Sequence, residues 1–163
     1  MNPTAKQETL QDEMALFVKA AKNVFEVMLQ TPLSESKMPA KEAESGVRVT
    51  TAVIGIQGST SWYVAVCFDD ESAMSIAQKL FGAEGELGEH EIGDALGEVA
   101  NMVGGGAKAE LANLRDESMN LGLPTVVNGV DYKVNVPPGS LTEVTHFESD
   151  LGCFSLTVTF VKK

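Results

Sequence analysis

The stretch EHEIGDALGEVANMVGGGAKAELANLR, residues 89–115, decides the fold. Ile92, Leu96, Val99, Val103, Ala107, Leu111 and Leu114 follow one another at steps of three or four, which places a continuous apolar stripe along one long helix. What flanks this helix excludes a parallel sheet. Upstream, VRVTTAVIGIQ (47–57) and TSWYVAVCF (60–68) are β-branched runs joined by a short Gly/Ser turn, the pattern of a hairpin. Downstream, TVVNG, DYKVNV, LTEVTHFES and CFSLTVTFVKK are short strand-like runs punctuated by Gly, Pro and Asn, the last two pairing around DLG.

Two more helices complete the order. Met14, Phe17, Val18, Ala21, Val24, Phe25, Met28 and Leu29 form the apolar stripe of a first helix over 11–29, ended by Pro32 and the polar surface loop SESKMPAKEAESG. Asp69 or Asp70 can cap a helix whose apolar side is Ala73, Ile76, Ala77, Leu80 and Phe81, and Gly82 stops it. The chain thus reads helix, two strands, two helices, about four strands. Strands joined by turns rather than helical crossovers give an α+β fold, a mostly antiparallel sheet with helices packed on a face.

With 163 residues, 44% hydrophobic and 21% charged, the chain is expected to form a single domain over 1–163, with 1–10 flexible. No apolar run reaches the ~18 residues that span a bilayer, and the opening MNPTAKQETLQDEM lacks the layout of a signal peptide, so a cytoplasmic location is expected, away from membranes. A net charge of −11 opposes binding to a phosphate backbone, so nucleic acid is not an expected partner. Cys67 and Cys153 are too far apart in sequence for a CxxC or zinc-knuckle arrangement and are expected to be buried thiols. HEIGD (90–94) lacks the second histidine of an H-E-x-x-H metal helix; His90 is expected at a solvated helix start and His146 on the polar face of a strand.

The long helix carries a second pattern. Asp94, Glu98 and Asn101 repeat the rhythm of Ile92, Leu96 and Val99 two residues later, about 200° around the axis, and are expected to face solvent. Around them stand Ala95, Gly97, Ala100, Gly104 and Gly105, although each Gly costs a helix about 1 kcal/mol relative to Ala. A shaved face of this kind lets another backbone approach. It suits the docking of a partner against Glu98 and Asn101, and it equally suits close packing inside the domain.

At these residues the sequence resembles the CheC/CheX/FliY family of chemotaxis phosphatases. The family pattern of Asp or Ser, three residues, Glu, two residues, Asn, twenty-two residues and Pro falls on Asp94, Glu98, Asn101 and Pro124. ANMVGGGAKAEL, GLPTVVNG and NVFEVML extend the resemblance over most of the chain. The triple glycine 104–106 is richer in Gly than the usual pattern, and the first helix has Ala20 and Asn23 where CheC-type members repeat the Glu/Asn pair. The chain is therefore most like CheX, which implies a homodimer with one site per subunit. The apolar run CFSLTVTFV is a candidate edge for that dimer; sedimentation showing only monomer at micromolar concentration would count against it.

The resemblance implies hydrolysis of the aspartyl-phosphate of a CheY-like response regulator, with Mg²⁺ held by that regulator and no cofactor or metal bound by this chain. Asn101 would orient the attacking water and Glu98 would pair with the regulator's lysine. Asp94 and Pro124 would shape the site, Asp94 through the helix N-terminus or an N-cap geometry and Pro124 as a turn-former. A non-catalytic docking or flagellar-switch scaffold module is the alternative.

Overall fold

A computed structural model describes residues 3–37 and 44–162. Along the chain run α1 (Pro3–Met28), β1 (Ser34–Ser36), β2 (Arg48–Gln57), β3 (Ser61–Asp69), α2 (Asp70–Phe81), α3 (Glu89–Arg115), β4 (Asn120–Leu121), β5 (Thr125–Val130), β6 (Leu141–Ser149) and β7 (Gly152–Val161). The strands form one antiparallel sheet in the order β1-β6-β7-β3-β2-β4, with β5 also paired to β2. The α+β architecture expected from the sequence is the one found.

Alternation in β2, β3 and β7 puts Ile54, Ile56, Trp62, Val64, Val66, Phe68, Phe154, Leu156 and Val158 on one face, where they are buried with the helices. From α1, Phe17 stacks on Trp62 with ring centroids 5.3 Å apart, and Phe25 stacks on Phe154 at 4.9 Å. Such pairs add about 0.5–1.5 kcal/mol each beyond their burial. The Asp69 side chain accepts the Ser72 N–H at the start of α2, and Gly82 ends that helix in the left-handed conformation at φ 62°, as the capping chemistry predicts.

Several expectations fail for physical reasons. Helix α1 begins at Pro3, ahead of the expected start at residue 11, with a proline at the first helical position, where its missing N–H costs no bond. Met28, Phe81 and Leu114, assigned to apolar helix sides, are 55%, 50% and 60% exposed: each lies in the last turn of its helix and points away from the core that takes Leu29, Ala77 and Leu111. DYKVNV forms no strand: Asp131 turns at φ 51°, and residues 131–140 cross the sheet face opposite the helices, where the Tyr132 hydroxyl meets Thr51 Oγ1. Burial there raises the Tyr132 pKa, although the Thr51 bond works in the opposite sense. Residues 38–43 of the expected surface loop lie outside the described residues, and its first residues form β1 beside β6. Cys153 is exposed and Cys67 half-buried, both on the face away from the helices. Strand β7 is no edge, because β3 and β6 occupy its two sides, so it cannot supply the edge of a dimer.

The helix that carries Glu98 and Asn101 is fixed near both ends. At its start Arg48 of β2 pairs with Glu89 and, at 3.9 Å, with Asp70 of α2. At its end Arg115 makes a two-pronged bond to Glu13 of α1, at 2.7 and 2.8 Å, and donates to Thr60 at 3.1 Å. Its guanidinium also lies over Trp62, 5.8 Å from the ring centroid. The hydrogen bond to Glu13, more than desolvation opposes it, raises the Arg115 pKa further.

Candidate functional site

The long helix presents its polar residues as the spacing predicts, but the small residues around them serve another purpose. Asp94 and Glu98 are exposed and Asn101 is half-buried. Ala95, Gly97, Ala100 and Gly104 are buried, so they are not a shaved docking surface. A Cβ built on Gly97 would lie 3.5 Å from Val126 and 3.6 Å from Pro124; one on Gly104 would lie 2.9 Å from Ile54 and 3.1 Å from Leu121. The glycines let the helix sit down on β2, β4 and β5. An intramolecular close approach explains them.

The triple glycine is accordingly not uniform. Gly104→Ala must push against the β-branched Ile54 and is expected to destabilise the fold by about 1–3 kcal/mol. At Gly105 an added Cβ meets only Leu121, at 3.8 Å, and Gly105→Ala is expected to stabilise by up to about 1 kcal/mol. Urea denaturation of the two variants, giving opposite shifts in midpoint, checks this; equal shifts would refute the packing account.

Pro124 owes its position to a break in the neighbouring strand. Leu121 pairs with Ile56 and Thr125 with Val53, so three residues, Gly122 to Pro124, stand opposite only two, Ile54 and Gly55. One extra residue makes this a β-bulge, where proline is tolerated because no ladder bond is asked of it. The Gly122 N–H still donates to Gly55 O at 2.8 Å, which pins the break. Pro124 packs toward Gly97, and Leu121 packs toward Gly104 and Gly105. Asn101 lies one turn beyond Gly97 and about one turn before Gly104–Gly105, hence at the level of the bulge. The geometry thus brings Glu98, Asn101 and Pro124 to one ridge.

Asp94 sits higher on the same helix face, with His90 Nε2 3.5 Å from its carboxylate. It does not cap the helix. Gly88 occupies the N-cap and its N–H donates to Glu91 at 2.9 Å, while Glu89 and Glu91 supply the negative charge of the first turn. No side-chain partner among the described residues holds the Glu98 carboxylate or the Asn101 amide. Both are left available to another molecule. His90 is well exposed, whereas His146 lies on the face away from the helices with Nδ1 enclosed and unpartnered among the described residues. No group of three or more His, Cys, Asp or Glu side chains there could hold a metal ion, and no helix among them is long and apolar enough to cross a membrane.

The α1 positions of a second Glu/Asn pair line a groove between α1 and α3 and hold Ala20 and Asn23. Ala20 is 8% exposed and faces Gly106, where a Cβ would stand 3.5 Å from its own. Lys19 and Glu110 bridge the two helices at 3.0 Å beside this contact.

The family model described as chemotaxis phosphatase CheX matches residues 50–148, a span that holds Asp94, Glu98, Asn101 and Pro124 and runs from within β2 to within β6. The chain belongs to the CheX family. Among solved structures, this CheX-family chain is similar to the chemotaxis protein CheX of Vibrio vulnificus, with 26% identity over 91% of this chain and 95% of that one and a TM-score of 0.75. It shares 23% identity with CheX of Desulfovibrio desulfuricans over 91% and 99% of the two chains, again with a TM-score of 0.75. The CheX–CheY–BeF₃–Mg²⁺ complex of Borrelia burgdorferi aligns at 21% identity over 91% and 96%, with a TM-score of 0.69. Comparison with curated protein sequences gives no match. What the sequence left unseen is the bulge, whose signal was Gly122 and Pro124 on either side of Leu123, between two runs that pair with the same strand.

Proposed function

We propose that this protein hydrolyses the aspartyl-phosphate of a CheY-like response regulator. The observation that carries the reading is the unpartnered pair Glu98 and Asn101, one turn apart on a rigid helix and level with the Pro124 bulge, in a chain of the CheX family. The Borrelia relative, solved with CheY, BeF₃ and Mg²⁺, supports the choice of partner.

Phosphoryl transfer to water needs placement of the nucleophile and neutralisation of charge more than covalent chemistry. In this reading the regulator supplies the phospho-aspartate and its Mg²⁺, which neutralises charge on the phosphoryl oxygens. Asn101 supplies what a helix ridge can add: a neutral amide that accepts from the attacking water while donating to an oxygen beside it. Glu98, exposed and one turn away, pairs with a cationic side chain of the regulator and sets the register of the two proteins. Asp94 and Pro124 hold the ends of the ridge.

Release of inorganic phosphate from a phosphorylated CheY-type receiver domain, with and without the protein, tests the reading. Acceleration by catalytic amounts is the expected result. Glu98→Ala is expected to cost about fivefold in kcat/KM, the worth of a solvent-exposed ion pair. Binding without any acceleration would instead make the protein a docking module.

A further inference from the structure

We propose that Leu123 is the apolar anchor by which this protein seats a receiver domain, fixing the docked geometry in which Asn101 meets the phosphoryl group. The inference rests on the phosphatase reading above and adds to it a residue outside the Asp94, Glu98, Asn101 and Pro124 set.

Leu123 is 91% exposed, far beyond any other large hydrophobic side chain among the described residues, of which the next, Val27, is 63% exposed. This exposure is imposed by the backbone. Regular alternation from Leu121, which faces α3, would turn Leu123 toward the helix as well. The extra residue of the bulge resets the alternation: Pro124 takes the helix-facing place against Gly97, and Leu123 is displaced outward. The Gly122 bond to Gly55 and the Pro124 ring fix the residues on either side, so the leucine has no route to burial within its own domain.

Its position names the occupant. Leu123 adjoins Pro124, which touches the helix one turn from Asn101, so a receiver domain that offers its phosphoryl group to Asn101 must also cover Leu123. Val126, partly exposed, lies with Pro124 against Gly97 on the helix-facing side and adds apolar surface next to the anchor. A protruding aliphatic side chain beside the segment that packs on the helix of Glu98 and Asn101 can give a small interface its single apolar centre.

The test uses Leu123→Ser and Leu123→Asp in the full chain, with phosphate release and binding to a BeF₃-activated receiver domain as readouts. Because the side chain is 91% exposed and has no place in the core, both variants are expected to unfold at the wild-type temperature. KM for the phosphorylated receiver and Kd for the activated one are expected to rise about tenfold to a hundredfold, with kcat within twofold of wild type. A fall in kcat at unchanged KM, or no change in either, overturns the anchor while leaving the phosphatase reading intact. A wild-type protein that releases no phosphate removes the reading itself. Sedimentation of the same variants separates a third outcome: loss of self-association with unaltered receiver binding would assign Leu123 to a contact between copies of this chain and overturn the proposal.

Discussion

Asn101→Ala is expected to lower kcat for phosphate release about 10²–10³-fold, with binding of the activated receiver kept within a few-fold of wild type. The amide is half-buried on a helix whose two ends are held by separate ion pairs, so its place is set before the partner arrives. An alanine keeps the helix and removes the only neutral donor–acceptor group on the ridge. Asn101→Asp is the sharper variant, since it conserves size and puts a negative charge beside the phosphoryl oxygens; it is expected to be no more active than alanine. Single-turnover phosphate release at saturating enzyme separates chemistry from binding. A rate within threefold of wild type for Asn101→Ala would show that the water is positioned by something else.

The second large effect concerns stability. Arg115→Ala is expected to cost about 3–5 kcal/mol, because it strands the carboxylate of Glu13 in the interior. Only 4% of the Glu13 side chain and 22% of the Arg115 side chain reach solvent, and both carboxylate oxygens are used by the guanidinium. For a domain of this size the loss corresponds to a melting temperature lower by about 6–20 °C. The double variant Glu13→Leu with Arg115→Met removes the charge along with its partner and is expected to recover most of the loss. Thermal unfolding of the three proteins decides the matter, and a shift below about 2 °C for the single variant would mean that water already reaches Glu13.

Much of this molecule was legible in its sequence because its elements obey strong local rules. The caps of α2, the turn between β2 and β3 and the hairpin of β6 and β7 are short-range features, and each lies where turn chemistry and alternation put it. The outward face of Asp94 and Glu98 follows from helical period alone. The errors share a different cause. Whether Gly97 and Gly104 face solvent or a neighbouring strand depends on which strand lies there, a tertiary fact that helical spacing cannot contain. The bulge at Gly122–Pro124 is visible only once β4 and β5 are both known to pair with β2. Likewise DYKVNV alternates like a strand yet pairs with none, because Asp131 turns the chain and Tyr132 carries it across the sheet face to Thr51, a long-range contact that alternation does not reveal.

The central place of β7 has a consequence for biosynthesis. Its ten residues fill the gap between β3 and β6, so the hairpin of β2 and β3 cannot be completed on that side until translation has passed Val161. About 90 residues separate the end of β3 from the end of β7, which at ordinary elongation rates is about 5–20 s of synthesis. Throughout that interval the nascent chain carries a bare strand edge with Trp62, Val64, Val66 and Phe68 beside it. Chaperone demand during translation is therefore expected to centre on this hairpin, whose unpaired edge is the template for aggregation until β7 covers it.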